Sequence, residues 1–144
     1  MKVKQISVFM ENQVGRLAEM TGAVGAAGVN IMALTVAEST DFGVVRMIVS
    51  DFDKARKILK DKGFTVRETE VLAIEIPDQP GSLGKVLKTF SDTGLNVEYM
   101  YAFVGKREGA IMVFRFDDPD KAIKSLKPTK IKVLTNEEVL SLTK

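Results

Sequence analysis

The sequence repeats itself once, with an interval of 66 residues, the separation between Gly15 and Gly81. Near Pro119 one extra residue lengthens the interval, so that Asp53 matches Asp120. The other matches keep their order and pair Gly28 with Gly94, Asn30 with Asn96, Gly43 with Gly109 and Asp51 with Asp117. A long period with only two copies predicts duplicated small domains rather than a solenoid. We expect these domains at residues 1–70 and 71–144.

Both copies show the same order of strand and helix signals. Apolar, β-branched segments predict first strands at 2–10 and 71–76. Apolar residues at helical spacing then predict a helix in each copy, carried by Leu17, Met20 and Val24 in the first and by Leu83, Val86, Leu87 and Phe90 in the second. Later strands are predicted at 30–38, 44–49 and 64–70, and again at 96–104, 110–116 and 129–134. Second helices should start near Asp53 and Asp120.

The order βαββαβ, present twice, is the split-βαβ arrangement. It predicts an α+β fold made of two ferredoxin-like sandwiches in tandem. Each sandwich should have a four-stranded antiparallel sheet with two helices on one face. A short C-terminal helix within 135–142, capped by Thr135 or Asn136, completes the prediction.

Proline and glycine give the local signals between these elements. Pro80 suits the first position of a helix, where its missing N–H costs nothing. Gly28 and Gly94 are expected to end the first helices in the left-handed conformation. Gly43 and Gly109 are expected to close hairpins.

The composition excludes several classes of function. The 144 residues include no cysteine and no histidine, so thiolate nucleophiles, imidazole bases and the usual zinc ligands are missing. We therefore expect no catalytic residues, no metal site and no cofactor. The formal charge of +2 provides no attraction for nucleic acid or an anionic membrane. Without an apolar segment typical of a signal peptide or a membrane span, a cytoplasmic location is expected.

The repeated motifs resemble those of the ACT domain family. The second copy has DQPGSL at 78–83 and GLNV at 94–97, similar to the family pattern D/N-x-P-G-x-L followed by G-x-N-I. The first copy has NQVGRL at 12–17 and GVNI at 28–31, the same pattern without the proline. The resemblance covers residues 3–134. It implies a non-catalytic regulatory protein that binds a free amino acid and acts on amino-acid metabolism.

The resemblance also implies where the ligand binds. Carried over by position, the candidate ligand-binding residues are Asn12, Gln13, Val14, Gly15, Arg16, Asn30, Asp78, Gln79, Gly81, Ser82 and Asn96. A helix N-terminus offers unpaired N–H groups to a carboxylate, glycine permits close approach, and an Asn amide both donates and accepts. The loop and the asparagine of a site are expected to meet across a domain interface. The nearby residues are apolar and favour a small apolar amino acid as the ligand: Met10, Val14, Ile31, Ile76 and Val97. The first copy is the better candidate site, because Asn12 has an amide that Asp78 lacks.

Purely structural roles compete with ligand binding at these positions. Gly15 and Gly81 suit a tight turn, and Asp78 suits a helix cap. Asn30 and Asn96 suit a left-handed turn after glycine. Arg16 and Ser82 are compatible with exposure to solvent.

Two other functional classes remain as alternatives. An RNA-binding module of the RRM type shares the βαββαβ order, but residues 107–114 match its aromatic third-strand motif only at Arg107, Ala110 and Phe114. The chain is also compatible with a regulatory subunit of an amino-acid biosynthetic enzyme. Short sheets with unpaired edges further predict a homodimer.

Overall fold

The computed structural model describes residues 1–103 and 109–142, which form seven strands and five helices. The elements of the first copy are β1 (Val3–Glu11), α1 (Arg16–Ala26), β2 (Ile31–Glu38), β3 (Phe42–Val49), α2 (Phe52–Asp61) and β4 (Thr65–Pro77). Those that follow are α3 (Ser82–Asp92), β5 (Val97–Ala102), β6 (Gly109–Phe116), α4 (Pro119–Leu126), β7 (Lys132–Val133) and α5 (Asn136–Ser141). None of the helices in these ranges is long and apolar enough to cross a membrane.

The chain divides into two compact units with the same strand order. The first unit comprises Lys4–Thr69, and the second comprises Met1–Val3 with Glu70–Leu142. The sheet of the first unit has the order β2-β3-β1-β4, and that of the second has the order β5-β6-β4-β7. The boundary lies within β4, so its first half belongs to one sheet and its second half to the other. The predicted α+β fold of two ferredoxin-like βαββαβ sandwiches is confirmed.

Alternating residues of the central strands build the core of the first unit. Ile6 lies opposite Met47 and Val8 opposite Val45 in the register of β1 and β3, and directly opposed residues point to the same face. Both helices pack on that face, through Met20 and Val24 of α1 and Ala55 and Leu59 of α2. All eight side chains are buried.

The second unit repeats this plan with larger side chains. Its core contains Leu72, Ile74 and Ile76 of β4, Phe114 and Phe116 of β6, Phe90 of α3, and Ala122 and Leu126 of α4. The Phe90 ring meets Phe114 and Phe116 edge-on, with a centroid separation of 5.1 Å in each case. Such pairs add about 0.5–1.5 kcal/mol to the burial of their area.

Strand register corrects the position of the extra residue in the second copy. Ile6 pairs with Met47 in β1–β3, and Leu72 pairs with Phe114 in β4–β6. The interval is therefore still 66 at the first strand but already 67 at the third. The extra residue must precede β6, whereas the match of Gly43 with Gly109 had placed it near Pro119.

The helix caps confirm this corrected alignment. Asp51 caps α2 and Asp118 caps α4, each accepting a hydrogen bond from the N–H three residues further on. Asp51 therefore corresponds to Asp118 and not to Asp117. At the C-terminus, Thr135 caps α5 in a capping box with Glu138, which decides between the two predicted caps.

Three predictions about local structure are corrected. Gly43 does not close its hairpin: it lies within β3 and pairs with Met10, while the turn is closed by the Ser39 N–H bond to the Phe42 oxygen. Gly109 is the first residue of β6, and the end of the predicted strand 96–104 lies outside the described residues. The strand predicted at 129–134 shortens to β7 because Thr129 instead donates through N–H and hydroxyl to Leu126 at the end of α4.

The aromatic cluster predicts a large loss of stability on truncation. Phe90→Ala should lower the free energy of unfolding by about 3–5 kcal/mol, because the buried ring leaves a cavity beside two other rings. Urea titration followed by circular dichroism measures the loss. The matched control is Val24→Ala at the equivalent buried position of the first unit, where fewer atoms are lost. A loss for Phe90→Ala no larger than that for Val24→Ala would contradict the prediction.

Candidate functional site

The residues between β1 and α1 form a tight turn. The Arg16 N–H donates to the Gln13 oxygen at 3.3 Å. Gly15, the third residue of this turn, has φ 89° and ψ −16°, the values of position i+2 in a type II turn. That position strongly favours glycine, because a side chain is strained at positive φ. Val14, the second residue, is fully exposed.

The same turn joins β4 to α3 in the second copy. The Ser82 N–H donates to the Gln79 oxygen at 3.1 Å, and Gly81 has φ 86° and ψ −9°. Pro80 therefore occupies position i+1 of a type II turn, which its fixed φ suits. The prediction that Pro80 is the first residue of the helix is wrong, since α3 begins at Ser82.

Backbone donors are exposed where each helix begins. Neither α1 nor α3 has a side-chain cap. Within the described residues, the N–H groups of Leu17 and Ala18, and of Leu83 and Gly84, have no hydrogen-bond partner. The prediction that Asp78 serves as a helix cap is therefore wrong. At the start of each of these helices, two N–H donors are therefore available to an anionic group, which the positive end of the helix dipole also favours.

Asn12 ties the first turn to the hairpin between β2 and β3. Its amide nitrogen donates to Glu38 Oε2 at 3.0 Å and to the Ser39 oxygen at 3.3 Å, and its N–H donates to the Asp41 oxygen at 2.9 Å. The amide oxygen accepts no hydrogen bond from the described residues. At the equivalent position, Asp78 is exposed and has no ion pair or hydrogen bond within the same ranges. Both positions thus present an oxygen acceptor.

Asn30 and Asn96 are exposed and precede β2 and β5. The backbone N–H of Asn30 donates to Ser50 Oγ at 2.8 Å, and the backbone carbonyl oxygen of Asn30 accepts from the Ser50 N–H at 2.9 Å. Neither asparagine has a positive φ; the left-handed residues are Gly28 and Gly94. The suggestion that these asparagines serve as left-handed turn residues is wrong.

Within one unit the turn and the asparagine lie at opposite ends of the sheet. β2 begins with Ile31 opposite Val49, whereas β1 ends with Glu11 opposite Phe42. The eleven residues of α1 separate the two sites by about 16 Å at 1.5 Å per residue. A single unit therefore does not bring them together. Their meeting across a domain interface stays a prediction.

Arg16 is held between two carboxylates at the start of α1. Its Nε donates to Glu11 at 2.8 Å, its Nη1 donates to Glu19 at 2.8 Å, and its guanidinium lies 4.4 Å from the centre of the Phe64 ring. The pKa of Glu11 is lowered by a backbone hydrogen bond and then by Arg16. The pKa of Arg16 is raised, first by its hydrogen bond to Glu19. Sequence reasoning missed this cluster, although the spacing of Arg16 and Glu19 is that of a helical ion pair.

Two other kinds of site find no support. The described residues contain no group of three or more acidic side chains placed to hold a metal ion. In the RNA-binding alternative Phe114 would stack on a base, but its ring is fully buried against Phe90. Arg107, which also matched that motif, lies outside the described residues.

The duplicated βαββαβ units, each with a glycine turn ahead of its first helix, define a tandem ferredoxin-like module. A family model described as an ACT domain pair matches residues 1–143. The chain belongs to the ACT domain pair family, whose modules are regulatory. A search of curated proteins found no match.

Solved structures of similar proteins agree with this assignment. Protein BT0572 from Bacteroides thetaiotaomicron is 43% identical over 99% of this chain and 98% of its own, with a TM-score of 0.92. The ligand-free regulatory subunit of aspartate kinase from Thermus thermophilus is 17% identical over 86% and 87%, with a TM-score of 0.62. The regulatory subunit of aspartate kinase from Thermus flavus is 16% identical over 87% of this chain and 90% of its own, with a TM-score of 0.59. At such identities the two kinase subunits show the shared fold.

Replacing glycine by alanine should have opposite effects on stability at Gly15, which has a positive φ, and at Gly22, which lies within α1. Gly15→Ala should lower the free energy of unfolding by about 1–2 kcal/mol, since a side chain is strained in the left-handed region. Gly22→Ala, within α1 and with open space around the added carbon, should raise it by about 0.5–1 kcal/mol. Urea titration measures both. Equal effects of the two substitutions would show that the turn lacks the left-handed conformation.

Proposed function

We propose that this chain is a non-catalytic regulatory protein that binds a free amino acid at its glycine turns. The observation that carries the proposal is the duplicated type II turn ahead of a helix whose first N–H groups have no partner within the described residues. Membership of the ACT domain pair family supports it. We treat 1–70 and 71–144 as its two regulatory domains, and expect them to act in the cytoplasm.

The turn and the first helical residues suit the carboxylate of an amino acid. The N–H groups of Leu17 and Ala18, or of Leu83 and Gly84, would donate to its oxygens, helped by the helix dipole. Because Gly15 and Gly81 have no side chain, the ligand can approach the backbone closely. The small apolar side chain expected for the ligand stays a prediction from the sequence, since Met10 and Ile76 are buried in the cores of the two units while Val14 is exposed at the first turn.

The ammonium group of the ligand needs an oxygen acceptor. In the first copy the amide oxygen of Asn12 would fill this role, because the amide nitrogen already donates to Glu38. In the second copy the carboxylate of Asp78 would pair with the ammonium directly. The asparagines Asn30 and Asn96 remain candidates for contributions from another domain. The earlier preference for the first copy therefore loses its basis, and both turns are candidate sites.

A regulated enzyme of amino-acid metabolism is the proposed partner. The absence of cysteine and histidine from the sequence argues against independent catalysis. The Thermus proteins named as regulatory subunits of aspartate kinase align over most of their length with this chain. By that likeness we propose a role as a regulatory subunit of an enzyme of amino-acid metabolism.

Titration calorimetry with each free amino acid tests the site. At least one amino acid should bind the wild type at millimolar concentration or below. Asn12→Ala, Asp78→Ala or Asn30→Ala should weaken binding by about 1–3 kcal/mol, roughly ten- to a hundredfold, because a ligand charge loses its partner. If no amino acid binds the wild type, the sensing function is wrong. If one binds and every variant binds it equally well, these residues do not form the site.

Two controls separate ligand contact from loop stability. Glu38→Ala removes the acceptor of the Asn12 amide but leaves Asn12 in place, so affinity should fall less than in Asn12→Ala. Lys57→Ala changes an exposed position of α2 and should leave affinity unchanged. Equal losses for Glu38→Ala and Asn12→Ala would indicate that Asn12 only anchors the hairpin.

We also propose that the protein forms a homodimer through the first unit. β2 ends the strand order of its sheet, which leaves one row of backbone groups for pairing. Phe9 and Phe42 are 40% and 62% exposed on the sheet face opposite the helices. Two large aromatic side chains exposed on one sheet face are typical of an interface.

Light scattering should give twice the monomer mass of 15.8 kDa at micromolar concentration. Phe42→Ser should shift the population towards monomer, because it removes apolar area from the proposed interface. Val14→Ser, which changes a fully exposed apolar residue in the turn, is the control and should remain a dimer. A monomeric wild type would exclude the homodimer.

A further inference from the structure

The two copies hold the same turn by different means. The first helical hydrogen bond is matched in both, from the Glu19 N–H to the Gly15 oxygen at 2.9 Å and from the Lys85 N–H to the Gly81 oxygen at 3.1 Å. In the second copy Pro80 presets φ at position i+1 of the turn. In the first copy that position is Val14, which imposes no such restriction.

Only the first copy has a cationic side chain directly after the turn glycine. Arg16 joins Glu11 at the end of β1 to Glu19 in the first turn of α1. Its guanidinium also lies over Phe64, whose ring is buried in the core of the first unit. These contacts fix the two elements on either side of the turn relative to each other and to the core.

The equivalent residues of the second copy form no such cluster. An interval of 66 places Pro77, Ser82 and Lys85 at the positions of Glu11, Arg16 and Glu19. None of the three is acidic, and the only charge among them is that of Lys85, so these positions cannot form the ion pairs of Arg16. The second copy has the proline without the ion pairs, and the first copy has the ion pairs without the proline.

We propose that Arg16 is a positioning residue for the turn of the first copy, where its ion pairs restrain the backbone as Pro80 does in the second. Under this proposal Arg16 shapes the candidate ligand site through the turn, while its Nε and Nη1 donate to Glu11 and Glu19. The restraint itself is independent of any ligand. Its effect on affinity rests on the proposed function.

The two kinds of restraint differ in their response to salt. The side chains of Arg16, Glu11 and Glu19 are 24%, 49% and 52% exposed, so added ions reach the pairs. The screening length falls from about 10 Å at 0.1 M salt to about 3 Å at 1 M. Salt should therefore loosen the first turn and leave the second, which is held by a covalent ring, unaffected.

Amide hydrogen exchange of the full chain tests the restraint without a ligand. In Arg16→Met the Glu19 N–H should exchange about two- to tenfold faster than in the wild type, because two partly exposed ion pairs are lost. The Lys85 N–H is the internal control and should be unchanged. Glu11→Gln, a milder variant, should give a smaller increase. Raising salt to 1 M should accelerate exchange at Glu19 in the wild type but not in Arg16→Met.

Transfer of the proline provides the decisive variant. Val14 is fully exposed and its N–H has no partner within the described residues, so Val14→Pro breaks no hydrogen bond of this part of the chain. In Arg16→Met/Val14→Pro, exchange at Glu19 should return towards the wild-type rate and lose its dependence on salt. Unchanged exchange at Glu19 in Arg16→Met, or no recovery in the double variant, would overturn the proposal.

Titration of the same variants with the panel of free amino acids separates this inference from the proposed function. Arg16→Met should weaken binding to the first copy, and Val14→Pro should restore it. If exchange behaves as expected but no amino acid binds the wild type, the restraint stands and the sensing function is wrong. If Arg16→Met weakens binding and the double variant recovers exchange but not binding, Arg16 contacts the ligand directly, and its proposed effect on affinity through the turn is wrong.

Discussion

The backbone conformation at Gly15 and Gly81 is the constraint on which the fold and the candidate site both depend. A left-handed residue at this point turns the chain from the end of a strand directly into the first turn of a helix. The helix can then pack back on the strand it has just left, which closes the core of each unit. The same turn leaves no residue at the N-cap whose side chain can satisfy the first N–H groups. An exposed donor set is thus a consequence of how the fold is closed.

Much of this architecture could be predicted from local patterns, because they are set by local physics. Apolar, β-branched residues predicted β1, and apolar residues at helical spacing predicted α3. The second helices were expected near Asp53 and Asp120, and the structure adds their caps, Asp51 and Asp118, which agree with residue preference at a helix start. The alignment of the two copies was harder to predict. Gly43 and Gly109 match in residue type, but strand register makes Ala110 the equivalent of Gly43. Pro80 was misplaced for a related reason: proline at i+1 of a type II turn and proline at the first helical position look alike in sequence.

The site was less predictable than the fold, because it depends on contacts between residues distant in sequence. Nothing near Arg16 in sequence indicates Phe64, and nothing near Asn12 indicates Glu38; folding alone brings each pair together. Helix length likewise decides that the turn and Asn30 lie at opposite ends of a unit, although a shared motif suggests proximity. Motif resemblance identifies which residues matter to a family, whereas strand register decides which of them can act together in one unit.

Comparison of the two copies shows where side chains are free to differ. The core of the first unit has Val24, Met47 and Val49 where the second has Phe90, Phe114 and Phe116, yet the turn geometry is nearly the same. Backbone N–H groups provide the same donors whatever the side chains are, so under the proposed function both turns would bind a carboxylate in the same way. The residues around each turn carry the differences: Arg16 against Ser82, Val14 against Pro80, and Glu19 against Lys85. Under the proposed function the two sites therefore share a mode of binding, while affinity and response to salt are set separately in each copy.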